Sequence, residues 1–127
     1  MKLKGMLLKR EDGFTLIEII AVLIILGILA AVAIPRYIDL TTNAEIRAIE
    51  AGVSELNGRE ALTWANLMIS PAGYTNDAAV FAALSTDLGT DYTWTVAPTV
   101  TGGTLTFGSQ SSVETRTAST ATSPARW

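Results

Sequence analysis

The stretch GFTLIEIIAVLIILGILAAVAIP, Gly13 to Pro35, decides how the rest of the chain is read. Between Phe14 and Ile34, 18 of 21 residues are apolar, and from Ile19 to Ile34 no side chain is polar. Coiled as a helix, this segment is about 30 Å long, close to the hydrocarbon thickness of a bilayer. Elsewhere the apolar share falls to about 42%, slightly below the usual globular value. The 49% of the whole chain is therefore a local concentration and not a large core.

Charge is distributed around this segment with the same asymmetry. Lys2, Lys4, Lys9 and Arg10 precede it, against Glu11 and Asp12, and no lysine follows it. Basic residues before an apolar span hold the N-terminus in the cytoplasm and send the rest outward. Beyond residue 34 the chain is acidic, so nucleic acid is not expected as a main partner. The 127 residues include no His and no Cys, which removes the usual proton shuttle, the thiolate nucleophile and the common zinc ligands. An enzyme is the least favoured class, and no disulfide framework can form.

Glu18 is the anomaly inside the apolar run. A carboxylate at the centre of a membrane helix is penalised by about 2.5–3.5 kcal/mol, so such residues lie near an interface, find a partner or serve a function. A second reading of the same segment comes from Ala31-Val32-Ala33, which matches a secretory cleavage site. Cleavage after Ala33 would release a secreted or membrane-tethered binding protein that begins at Ile34. The apolar run is longer than the usual core of a signal peptide, and the helical pattern continues through the site.

Gly13-Phe14-Thr15-Leu16-Ile17-Glu18, after a short basic leader and before an apolar run ending in Pro35, resembles the N-terminus of type IV prepilins and of the pseudopilins of type II secretion. The resemblance covers roughly the first 50 residues. It implies that residues 1–13 are a leader, cut by prepilin peptidase between Gly13 and Phe14, and that the new Phe14 amine is then N-methylated. It implies that Glu18 and Pro35 serve assembly, Glu18 by pairing with the N-terminal amine of a neighbouring subunit. The partners it implies are copies of the chain and related pilins, the peptidase, an inner-membrane assembly platform and, before assembly, lipid. The location would be the inner membrane, with the N-terminus cytoplasmic, and then an extracellular pilus or a periplasmic pseudopilus. A pilus subunit is the reading favoured, with a type II secretion pseudopilin as its alternative.

Residues 35–70 read as a continuation of the helix. Pro35 cannot donate to the carbonyl of Ala31, so a kink or loosening is expected there. Ile46, Ile49, Val53 and Leu56 recur at helical spacing, extended less regularly by Leu62, Trp64 and Leu67. Glu45, Glu50, Glu55 and Glu60 recur every five residues, an offset of about 140° that shares no face, and read as solvated charges or contacts between subunits. Gly52 and Gly58 lower helix propensity and suit close approach or bending.

Residues 71–127 read as a small head. Asn76 caps a short helix from about Asp77 to Ser85, with Val80, Phe81 and Leu84 inward. A period of two follows in Tyr92, Trp94 and Val96 and in Leu105 and Phe107, with Gly102-Gly103 as the hairpin turn and a third strand over 113–117. Trp64 and Trp94 are expected in the core. The fold class is α+β: a long N-terminal helix packed against a small antiparallel sheet. Asp77, Asp87 and Asp91 are the acids on which a calcium site like that of some pseudopilins would draw, but their spacing matches no calcium loop, and no cofactor is expected.

Overall fold

The computed structural model describes residues 13–127. The basic residues of the expected leader lie outside them. The chain divides into two units, Met1–Ile38 and Asp39–Trp127. One helix, α1 (Leu16–Ile69), enters both. Among the described residues of the first unit every side chain is exposed, and Leu23, Ile24, Ile28 and Leu29 are each more than half exposed. Pro35 lies within the helix, which is assigned without a break through it.

In the second unit the same helix has a buried face, formed by Ile49, Gly52, Leu56 and Glu60. This face is turned from the stripe that the sequence suggests. Ile46 and Leu62 are 41% and 67% exposed, and two residues with no apolar side chain, Gly52 and Glu60, take the inward places. Gly52 is inward because an aromatic ring lies on the helix there. A Cβ at Gly52 would stand 2.7 Å from Cε1 of Tyr92, whose hydroxyl donates to the carbonyl of Ala48 at 2.8 Å. Gly58, by contrast, has open space where its side chain would be.

The short helix α2 (Asp77–Ala83) is capped by Asn76, whose Oδ1 accepts from the Ala79 amide at 2.9 Å. It presents Val80 to the core, with Leu84 just beyond its end. Three strands follow, β1 (Tyr92–Thr99), β2 (Gly102–Phe107) and β3 (Gln110–Thr115), forming one antiparallel sheet in the order β1-β2-β3. This is the α+β architecture expected from the sequence, with two corrections of register. Gly102 and Gly103 open β2 instead of forming the turn, which falls on Val100-Thr101. Gly102 has φ +132°, and a Cβ there would collide with the carbonyl of Glu114, so glycine serves the close strand approach. The third strand starts at Gln110, earlier than expected, because a two-residue turn at Gly108-Ser109 places Gln110 opposite Phe107.

The core of the second unit is small and aliphatic. Ile49, Leu56, Val80, Leu84, Leu105 and Ala125 are buried. Trp64 and Trp94, expected in the core, are half-buried and spend their indole N–H groups on backbone: Trp64 on Thr120 and Trp94 on Thr86, at 2.8 and 2.9 Å. The residues after β3 return to α1. Thr117 and Arg126 form an isolated antiparallel bridge, and the Trp127 amide donates to Oδ1 of Asn57 at 2.9 Å.

Candidate functional site

The helix that carries the apolar segment begins with a specific local device. Thr15 precedes Leu16, the first helical residue, and Glu18 stands three positions further on. The amide and hydroxyl of Thr15 both donate to Oε2 of Glu18 at 2.7 Å, while the Glu18 amide donates to the Thr15 hydroxyl at 3.4 Å. This reciprocal pair is a capping box, in which two otherwise orphaned amides at the helix start are satisfied by side chains. The pattern Thr-x-x-Glu before an apolar run signals it, a signal that is lost when Glu18 is treated as an isolated charge.

Two consequences follow for the residues singled out from the sequence. The helix starts after Thr15, so Gly13 and Phe14 lie outside it, and Phe14 is 84% exposed. Their peptide bond is thus in accessible, non-helical backbone. Glu18 is exposed and only its Oε2 is engaged, so among the described residues Oε1 has no hydrogen-bond partner. Pro35 is in the same unit but seventeen positions further along the helix from Glu18, so the two do not share one site.

A second cluster lies in the other unit, and local sequence gives no sign of it. Arg116, just past β3, reaches Glu60 of α1 through Nε and Nη2, and Asp77 at the first residue of α2 through Nη1 and Nη2, at 2.8 and 2.9 Å for the latter. Its remaining contact is the carbonyl of Val100 at 3.1 Å, and its guanidinium lies 5.2 Å from the centre of the Phe81 ring. The Arg116 and Glu60 side chains are fully buried. Glu60 also accepts from the Trp127 indole at 3.1 Å, and Asp77 from the amide and hydroxyl of Ser119 at 2.7 Å. Every guanidinium edge is thereby used, as a buried charge requires.

This cluster corrects the reading of the glutamates as solvated. Glu50 and Glu55 are exposed and pair with Arg47 and Arg59 along the helix, but Glu60 is in the core. Glu45 is spent on the β2–β3 turn, where its Oε2 accepts from the amide and hydroxyl of Ser109 at 3.0 and 2.7 Å. The Arg116 guanidinium, with the Ser119 donors, holds the Asp77 carboxyl at about 2, well below its ordinary value. Of the three acids considered for calcium, Asp77 is therefore committed to Arg116, and Asp87 accepts from the Gly89 amide at 2.9 Å. Among the described residues no three acids gather into a group that could hold a metal. The arrangement is a structural lock that joins α1, α2 and the segment after β3.

Known proteins match the first of these two regions. The model of the prokaryotic N-terminal methylation motif matches residues 8–34. Over that N-terminal segment the chain is similar to type IV pilins and fimbrial proteins.

Among relatives, it is similar to a type IV narrow pilus major component of Thermus thermophilus, 42% identical over 53 residues that cover 42% of this chain and 46% of the other. A fimbrial protein of Pseudomonas aeruginosa is 47% identical over 49 residues, covering 39% and 32%. A type IV major pilin protein of Neisseria gonorrhoeae is 56% identical over 36 residues, covering 28% and 22%. The matched stretch thus spans less than half the length of each of these relatives. No solved structure matches the chain.

Proposed function

We propose that the chain is a structural subunit of a type IV pilus, held in the inner membrane before assembly with its N-terminus in the cytoplasm. The observation that carries this reading is the outer surface of α1 in the first unit, whose long apolar side chains are exposed along the whole segment. Such a surface suits lipid first and the same helix in neighbouring subunits afterwards, so leaving the membrane exchanges one set of apolar contacts for another. The pilus names of the relatives support the choice of machine.

On this reading, prepilin peptidase cuts between Gly13 and Phe14, and the accessible, non-helical backbone at that bond suits it. The new Phe14 amine is methylated. An assembly platform then adds the subunit to a bundle of helices, where Oε1 of Glu18 accepts from the Phe14 amine of a neighbour. Pairing an ammonium with a carboxylate that already has one oxygen bound fixes the axial register of adjacent helices, because either group left alone in the bundle lacks water. The work of the chain is assembly, not catalysis.

The test is Glu18→Ala in the producing cell. The variant should insert and be cut, with mass spectrometry finding a mature chain that starts at Phe14, while surface filaments become scarce. Filaments at normal yield would remove the pairing role. A mature chain starting at Ile34 would assign it to a secreted or tethered binding protein. Lost exoprotein secretion on deletion, without surface filaments, would assign it to type II secretion.

A further inference from the structure

In the unit Asp39–Trp127 most charged side chains are committed. Glu60 and Asp77 hold Arg116, Glu50 pairs with Arg47, and Glu55 with Arg59, while Glu45 and Asp87 accept from backbone amides. Among the described residues of this unit, Arg126 is the cation whose side chain makes no hydrogen bond or ion pair. Arg126 is exposed, and its backbone is fixed by two hydrogen bonds to Thr117, at 2.7 and 3.1 Å. It is a cation on a rigid mount with nothing to hold.

Among the carboxylates without such a partner, Glu114 is half-buried and lines a groove of about 400 Å³. The groove runs between α1 and the outer edge of β3, which is the last strand of the sheet. Ile46, Ile49 and Val53 give it an apolar wall, and Ser112 stands beside Glu114 on the strand side. An apolar wall next to a carboxylate suits an amphipathic cation, whose methylenes lie on the wall while its charged end meets the acid.

We propose that this groove receives Arg126 of a second copy of the same chain, its methylenes on Ile46 and Val53 and its guanidinium on Glu114. The inference rests on the filament reading above and names a contact between heads within it. Groove and arginine are different patches of one surface, so the contact is head-to-tail and repeats from copy to copy. Heterologous contacts of this kind build open helical assemblies when the rotation does not close.

The absence of cysteine from the sequence makes the test clean. Full-length Glu114→Cys and Arg126→Cys variants, expressed together, are treated on filaments with a short bis-maleimide. A crosslinked dimer should form from the mixture and from neither variant alone. In parallel, Glu114→Arg and Arg126→Glu should each lower filament yield about tenfold or more at unchanged levels of processed protein, and the double variant should restore it. Filaments of the mixed cysteine variants that give no crosslinked dimer, a double variant no better than the singles, or a Glu114→Cys thiol linked to a different protein would each overturn the contact while leaving the filament reading in place. Absence of filaments from the wild type would overturn both.

Discussion

The two parts of α1 are the same secondary structure put to opposite uses. Up to Ile38 the helix is almost wholly apolar, and each of its residues is exposed. Beyond Asp39 it is far less apolar, yet Ile49 and Leu56 are enclosed, and so is the charged side chain of Glu60. Hydropathy thus ranks the two regions in the reverse order of their burial. What a helix buries is decided by the partners that the rest of the chain supplies. On the proposed reading the first region finds its partners in lipid and in other copies, whereas the second has Tyr92, Leu105 and Arg116.

The sharpest way to break this contrast is to remove the partner that allows a charge into the core. Arg116→Ala leaves Glu60 buried with only the Trp127 indole to bind it and frees Asp77 from its cation. Breaking a buried ion pair on one side costs about 3–5 kcal/mol, so the second unit should lose most of its stability. Urea unfolding of the detergent-solubilised full chain, followed by tryptophan fluorescence, reads this directly because Trp64, Trp94 and Trp127 all lie in that unit. A midpoint within experimental error of the wild type would show that the cluster is not the lock described here.

A smaller and graded effect comes from acid. Asp77 sits at about 2 in the folded chain against 3.8 ordinarily, so the unfolded chain takes up its proton first as the pH falls. Its contribution, about 2 kcal/mol, is fully present above the ordinary value and is lost as the pH drops through the folded one. The urea midpoint should therefore fall between about pH 4 and pH 2. In Asp77→Asn that part of the fall should be missing, because the amide does not titrate. An unchanged pH profile in the variant would separate Asp77 from the acid response.

How much of this was legible in the sequence follows from the distance over which each interaction acts. The apolar span, the Asn76 cap and the alternation of Tyr92 with Trp94 are encoded within a few residues and are found where local pattern places them, whereas Val96, past a shift of register, is exposed. The Thr15–Glu18 capping box is equally local, and its signal lies in the spacing of the two residues, not in the charge of Glu18. The fate of Glu60 could not be found this way. It belongs to a regular series of glutamates, and only Arg116, fifty-six residues later, sets it apart. Tyr92 likewise lies forty residues beyond the Gly52 that admits it.

The turned face of α1 gives the smallest expected effect and the most direct check of that argument. Leu56 and Leu62 both extend the apolar pattern of the helix, and by composition alone neither is distinguished. Leu56 is fully buried, whereas Leu62 is 67% exposed, on the far side of the face that Gly52 and Glu60 define. Truncating a leucine costs what it buries, including the cavity left behind, and an exposed side chain leaves no cavity. Leu62→Ala should thus shift stability by less than about 0.5 kcal/mol, and the better helix propensity of alanine removes part of even that. The same urea experiment measures it. A loss comparable with that of a core leucine would mean that the inward face follows the Ile46-to-Leu62 stripe after all, with Gly52 and Glu60 at its margin. A near-zero shift would mean that an aromatic ring and a buried arginine, both distant in sequence, set which side of this helix faces in.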